Sequence, residues 1–138
     1  RIRPLPGQTV SIEHGVAGAQ GAVAALEFRR RPAAVAGLEQ ALLLAPGQHT
    51  LQVRQRTDGL RSDAGLEWIV ACSDGRVLGR SPRFGGSSGW TTLEAELEVP
   101  DDCPGQWLRL HNPAPTARTQ VTEGRLWIDR VRIVPVRP

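Results

Sequence analysis

The sequence predicts an all-β fold, an antiparallel two-sheet β-sandwich of about eight strands, and three observations carry that prediction. From Gly89 to Leu110 the chain reads GWTTLEAELEVPDDCPGQWLRL, in which Leu93, Ala95, Leu97 and Val99 alternate with Glu94, Glu96 and Glu98. One face of that segment is therefore apolar and the other carries three carboxylates, which is the period of a half-buried antiparallel strand and not of an amphipathic helix. Short alternating runs of the same kind recur along the chain between turn residues. No segment makes a convincing helix, and many short strands with no helix pack naturally as two sheets.

Taken in order, residues 1–8 form a Pro-rich lead-in that reads as the end of a linker, and Thr9 to His14 is a short strand with Val10 and Ile12 inward. Gly15 to Gly21 is a Gly-rich loop. Ala24, Leu26 and Phe28 alternate with Glu27 and Arg29 as a second strand that ends by Pro32. Ala33 to Ala45, AAVAGLEQALLLA, has fair helix propensity. It reads better as a strand, because Gln40, Leu42 and Leu44 alternate toward the strand Thr50 to Arg56 across the turn Pro46-Gly47. That next strand places Leu51 and Val53 on the apolar face and Gln52, Arg54 and Arg56 on the polar one. Thr57 to Gly65 reads as a polar loop.

Gly65 to Cys72, GLEWIVAC, has no clean polar face and is expected to be central in its sheet. Ser73-Asp74-Gly75 turns the chain into Arg76 to Gly79, and Ser81 to Gly89 reads as a long flexible loop. After the Leu93–Val99 strand, Pro100, Asp101, Asp102, Pro104 and Gly105 supply a turn. Leu108 and Leu110 then point one way, and Trp107, Arg109 and His111 the other. The last strand is Gly124 to Val134.

Composition bounds the function. The 138 residues are expected to form one domain, able to bury roughly two-thirds of the surface its unfolded form exposes. Hydrophobic residues are 40% and charged residues 22%, an ordinary globular balance that argues against disorder. All 17 basic residues are arginines, and the net charge is +3. These arginines are scattered along the chain, so no nucleic-acid partner is expected. The absence of Met predicts a piece excised from a longer protein. No apolar run approaches the roughly 20 residues of a membrane-spanning helix, so no membrane insertion is expected.

The order LEQALLLAPGQHTLQVR, GLEWIVAC, GWTTLEAELEVPDDCPGQWLRL and GRLWIDRVRI resembles the jelly-roll carbohydrate-binding modules and their galactose-binding-domain-like relatives. The resemblance covers most of the chain from about Leu26 onward. It is carried by Gln40 (inward in such folds), Pro46, Gly47, Trp90, Val99, Pro100, Gly124, Trp127, Asp129 and Val131. It implies a jelly-roll fold, and such folds host sugar binding, protein contacts and purely structural roles alike. It also implies an accessory, non-catalytic part of a bacterial protein, with periplasmic, cell-surface or secreted placement favoured.

Sugar-binding members stack pyranose rings on exposed aromatics, and here Tyr is absent, so four Trp must serve both core and site. Trp68 reads as core, Trp127 as half-buried, and Trp90 as a packing plug more than a platform. Trp107 is the best platform on paper, since it shares a face with Arg109 and His111; a Trp capping the sheet edge is its competing role. The predicted ligand face is Gln52, Arg54, Arg56, Trp107, Arg109 and His111. Arginines pair bidentately with carboxylates, so that face would favour acidic glycans. The alternative is a structural or protein-interaction domain whose polar face is merely solvated.

Cys72 and Cys103 either form a disulfide or stay free, with Cys72 a small core residue. Two cysteines without neighbouring histidines do not close a zinc shell, so no metal is expected from them. Asp129 could contribute to a structural calcium site or cap backbone amides. Enzymatic patterns are lacking: His14, His49 and His111 lie far apart, Asp101-Asp102 sits in a Pro-bounded turn, and phosphate-loop and dinucleotide motifs are absent. No cofactor is expected.

Overall fold

The computed structural model describes residues 8–13, 23–32 and 35–136. Nine strands are present among them: β1 (Gln8–Glu13), β2 (Val23–Pro32), β3 (Val35–Leu42), β4 (Gly47–Arg61), β5 (Glu67–Cys72), β6 (Val77–Arg80), β7 (Gly86–Val99), β8 (Gln106–His111) and β9 (Val121–Pro135). They form a five-stranded sheet in the order β1-β2-β9-β4-β7 and a four-stranded sheet in the order β3-β8-β5-β6. Every pairing is antiparallel. The all-β two-sheet sandwich expected from alternation is the fold, with nine strands where about eight were expected. Of the expected lead-in 1–8, residues 1–7 lie outside the described residues and Gln8 already belongs to β1; the loop Gly15 to Gly21 and the side chains of Val10 and Ile12 also lie outside them.

The core forms where the inner faces of the two sheets meet. Leu26, Phe28, Leu51, Val53, Ala95, Leu97, Leu126 and Ile128 from the larger sheet pack against Leu66, Trp68, Val70, Leu108 and Leu110. β5 is buried along its whole length, which explains its lack of a polar face. Trp68 is core, and its indole N–H donates to the buried Gln55 Oε1 at 2.7 Å. A Trp can be fully buried at little cost only when its one polar atom finds such a partner.

Three connections depart from the sequence reading, and a fourth, Pro100 to Gly105, decides a pairing which that reading left open. The turn Pro100 to Gly105 joins β7 in one sheet to β8 in the other, so the two strands do not pair. The disulfide Cys72–Cys103 ties this crossover to β5, with Cα atoms 5.9 Å apart. Likewise β3 pairs with β8 and not with β4 across the Pro46-Gly47 turn. Gln40 lies opposite Leu108, on the core-side parity, yet is exposed because β3 is an edge strand.

Thr57 to Gly65 is not simply a loop, since β4 continues to Arg61 with Leu60 buried. Register shifts between Gln55 and Thr57 and between Thr57 and Leu60 break the alternation, and a bulged strand does not read as period two. Gly59, with φ +56°, sits in this bulged stretch, and Gly124 of β9 passes directly beneath its carbonyl. The supposed loop Ser81 to Gly89 likewise ends early, because β7 starts at Gly86.

Candidate functional site

The six residues expected on one face are divided between two. Gln52, Arg54 and Arg56 point outward from β4, alternating with buried Leu51, Val53 and Gln55. Trp107, Arg109 and His111 point outward from β8, alternating with buried Leu108 and Leu110. Because β4 and β8 belong to different sheets packed core to core, the two triplets face opposite sides of the sandwich. Alternation tells inward from outward; it does not tell which sheet a strand joins.

On the larger sheet, the β4 triplet lies between two tryptophans that the sequence reading had left out of the site. Arg56 is the register partner of Trp127 on β9, and its guanidinium lies 5.1 Å from the centre of that ring. The Arg54 guanidinium lies 4.7 Å from the ring centre of Trp90 on β7. Both tryptophans are half-buried, as expected for Trp127. With strands about 4.8 Å apart, the backbones carrying the two rings are about 10 Å apart across β4. Trp90 shares its parity with Glu94, Glu96 and Glu98, so its outward direction was readable from the sequence.

A bulge shapes the middle of this row. Arg54 pairs with Arg130 while the next residue, Gln55, pairs with Ile128, leaving Asp129 as the extra residue. Its carboxylate, almost wholly buried, forms an ion pair with Arg54. That ion pair is a role the sequence did not suggest for Asp129; among the described residues no group of three or more His, Cys, Asp or Glu side chains is placed to hold a metal. Beside the row lies a depression of about 120 Å³ lined by Gln52, Arg54, Thr92, Arg130 and Arg132. The Gln52 amide donates to Glu94 at 3.4 Å, and Glu94, Glu96 and Glu98 form an exposed acidic stripe along β7.

The opposite face is chemically closed by its own ion pairs. Glu67, buried, accepts from Arg80 at 2.7 Å, and its same oxygen lies 2.9 Å from His111 Nδ1. Arg109 lies 3.7 Å from Glu39, and its guanidinium is 5.7 Å from the ring centre of half-buried Trp107. Two of the guanidinium groups here, Arg80 and Arg109, already face a carboxylate.

The other polar candidates have local roles. His49 is buried with Nε2 2.8 Å from the Ala45 carbonyl, and His14 lies outside the described residues. Asp101 and Asp102 are exposed, and Asp102 pairs with Arg76 at 3.1 Å. Asp74, in the turn before β6, accepts the Arg76 backbone N–H at 3.0 Å, which is the main reason its carboxyl is held below the ordinary aspartate range.

No protein-family model and no curated protein matches the sequence. Solved structures do match. A CBM4 structure superposes with a TM-score of 0.65 at 17% identity, covering 94% of this chain and 79% of that one. The CBM22-1 xylan-binding domain from Paenibacillus barcinonensis gives a TM-score of 0.60 at 11% identity, with coverage of 97% and 85%. The CBM22-1 and GH10 modules of a Clostridium thermocellum xylanase, complexed with xylohexaose, match with a TM-score of 0.62 at 11% identity over 94% of this chain and 25% of that chain. At these identities the likeness speaks of architecture: the chain has the jelly-roll fold of the carbohydrate-binding modules.

Proposed function

We propose that the chain is a non-catalytic glycan-binding module of a larger exported protein, taking its ligand across the outer face of the five-stranded sheet and favouring acidic glycans. The observation that carries this reading is the row Trp127, Arg56, Arg54 and Trp90 across three adjacent strands. An indole presents a flat apolar surface to the CH face of a pyranose, while its neighbouring guanidinium donates to hydroxyls or a carboxylate. Stacking on the rings holds each arginine in place before a ligand arrives, so less side-chain freedom is lost on binding. The jelly-roll neighbours named above include a xylan-binding domain, which agrees with a glycan ligand.

The test is a titration of the protein with neutral and acidic oligosaccharides, followed by Trp fluorescence. Affinities in the micromolar to millimolar range are expected, about −8 to −4 kcal/mol. Trp90→Ala and Trp127→Ala should each weaken binding about tenfold or more, and Trp107→Ala on the opposite face should not. Silence toward every glycan, with the fold intact by circular dichroism, refutes the reading and leaves a structural or protein-contact role.

A further inference from the structure

We propose that the depression lined by Gln52, Arg54, Thr92, Arg130 and Arg132 is an anion subsite, which seats the carboxylate or sulfate group of an acidic glycan lying on the neighbouring tryptophan row. This deepens the glycan-binding reading and rests on it. The starting point is an unbalanced charge arrangement. Arg54 and Arg130 are direct register partners, and Gln52 is the partner of Arg132, so three guanidinium groups crowd the border of β4 and β9. Like charges placed directly opposite across strands are destabilising. Asp129, the bulged residue, offsets one of the three by pairing with Arg54. Among the described residues neither Arg130 nor Arg132 has a carboxylate partner.

The remaining two cations suit an anion of limited size. Each guanidinium offers a planar fork that matches two oxygens of a carboxylate or sulfate. Thr92 lines the same depression. Gln52 is tethered to Glu94, which orients its side chain away from free rotation. Trp90 is two residues from Thr92 on the same strand and the same face, and Arg54 touches both the ring and the depression. A sugar stacked at Trp90 therefore brings its ring substituent within reach of the subsite.

The charge pattern also limits the class of polyanion. Glu94, Glu96 and Glu98 line the β7 side of the same face, while Arg130 and Arg132 line the β9 side. A nucleic-acid strand, with a phosphate at every step and a need for an extended basic track, would have to run beside that acidic stripe. A glycan with spaced anionic groups can set one of them in the depression and lay neutral hydroxyls against the glutamates.

The experiment compares the wild-type chain, Arg130→Gln/Arg132→Gln and Trp90→Ala against four probes of similar length: tetragalacturonate, a sulfated galactan tetramer, neutral xylotetraose and a single-stranded oligonucleotide. The double variant should lose at least tenfold in affinity for the anionic glycans and less than twofold for the neutral one. Its binding of tetragalacturonate should also lose most of its salt dependence, since exposed charge pairs are screened. The uronate and sulfate arms separate the two sources of the anion, and a loss on either one supports the subsite. Equal binding of anionic glycans by wild type and double variant refutes it while leaving the glycan face standing. Tighter binding of the oligonucleotide than of any glycan refutes it as well. If wild type binds none of the glycans, the glycan reading itself falls and the subsite with it. Arg130→Lys/Arg132→Lys guards against a folding artefact, because it keeps charge but not the fork and should recover only part of the loss.

Discussion

Reducing the Cys72–Cys103 bridge should cost the protein a calculable share of its stability. The bond spans 31 residues and joins β5 of one sheet to the crossover that follows β7 of the other. In the chain-entropy picture a loop of that length is worth about 3.7 kcal/mol at 25 °C, through restriction of the unfolded chain. An unfolding entropy of about 2.1 cal/mol/K per residue gives about 290 cal/mol/K for the 138-residue chain, so the thermal midpoint should fall by about 13 °C. The native crossover itself should survive, because it has other anchors. The Ser73 N–H donates to the Gly105 carbonyl at 2.9 Å, and Gln106 Nε2 donates to the Cys103 carbonyl at 2.9 Å. Both sulfurs also sit in a small apolar cluster with Val99, flanked by Leu44 and Leu78. The assay is thermal unfolding with and without a reductant, alongside Cys72→Ala/Cys103→Ala and a thiol titration of the denatured protein. A midpoint indifferent to reductant, together with two titratable thiols before reduction, would refute the bridge and the entropy argument at once.

Two further predictions concern a close crossing of strands β4 and β9 and the turn before β6. Gly124→Ala should destabilise by roughly 2–6 kcal/mol, because φ is +111° and a Cβ there would meet backbone atoms of Gly59 and Leu60, the Leu60 Cα at 2.6 Å; an unchanged urea midpoint would show that the β4 bulge does not cross there. Asp74→Asn should remove a small stabilisation with an acid limit: a carboxyl whose folded pKa is depressed contributes above its unfolded pKa and loses the contribution as pH falls through the lowered value. The wild-type minus variant difference should be flat above about pH 5, shrink below the ordinary value of 3.8, and weaken with salt, since Asp74 and Arg76 are both exposed. A difference that grows on acidification would reverse that sign and refute the assignment.

Much of the local structure is legible in the residues themselves. Side-chain alternation marks β4, β7 and β8 and assigns Leu51, Val53, Leu97, Leu108 and Leu110 to the core, because a strand's inward and outward positions follow from a period of two. The same rule makes Gln52, Arg54, Arg56, Trp107, Arg109 and His111 outward-facing, which the structure bears out residue by residue. The unrelieved apolarity of GLEWIVAC marks β5 as an interior strand, and so it is.

What alternation could not supply is partnership, because pairing is decided by contacts between residues far apart in the chain. Nothing local distinguishes a turn that closes a hairpin from one that crosses to the other sheet, so Pro100 to Gly105 stayed open and Pro46-Gly47 read as a hairpin until the two sheets were assembled around Trp68. That assembly sends Trp107 to the far side from Arg54 and brings in Trp90 and Trp127. Bulges are the second obstacle: one extra residue at Asp129 reverses the parity of everything after it, moving Arg130 beside Arg54 and Asp129 onto its guanidinium. The sequence by itself determined the class of fold, the core residues and the outward polar sets, through the geometry of single strands. Only the tertiary structure decided which of those sets share a face, since that depends on sheet order and on register shifts that a periodic pattern does not encode.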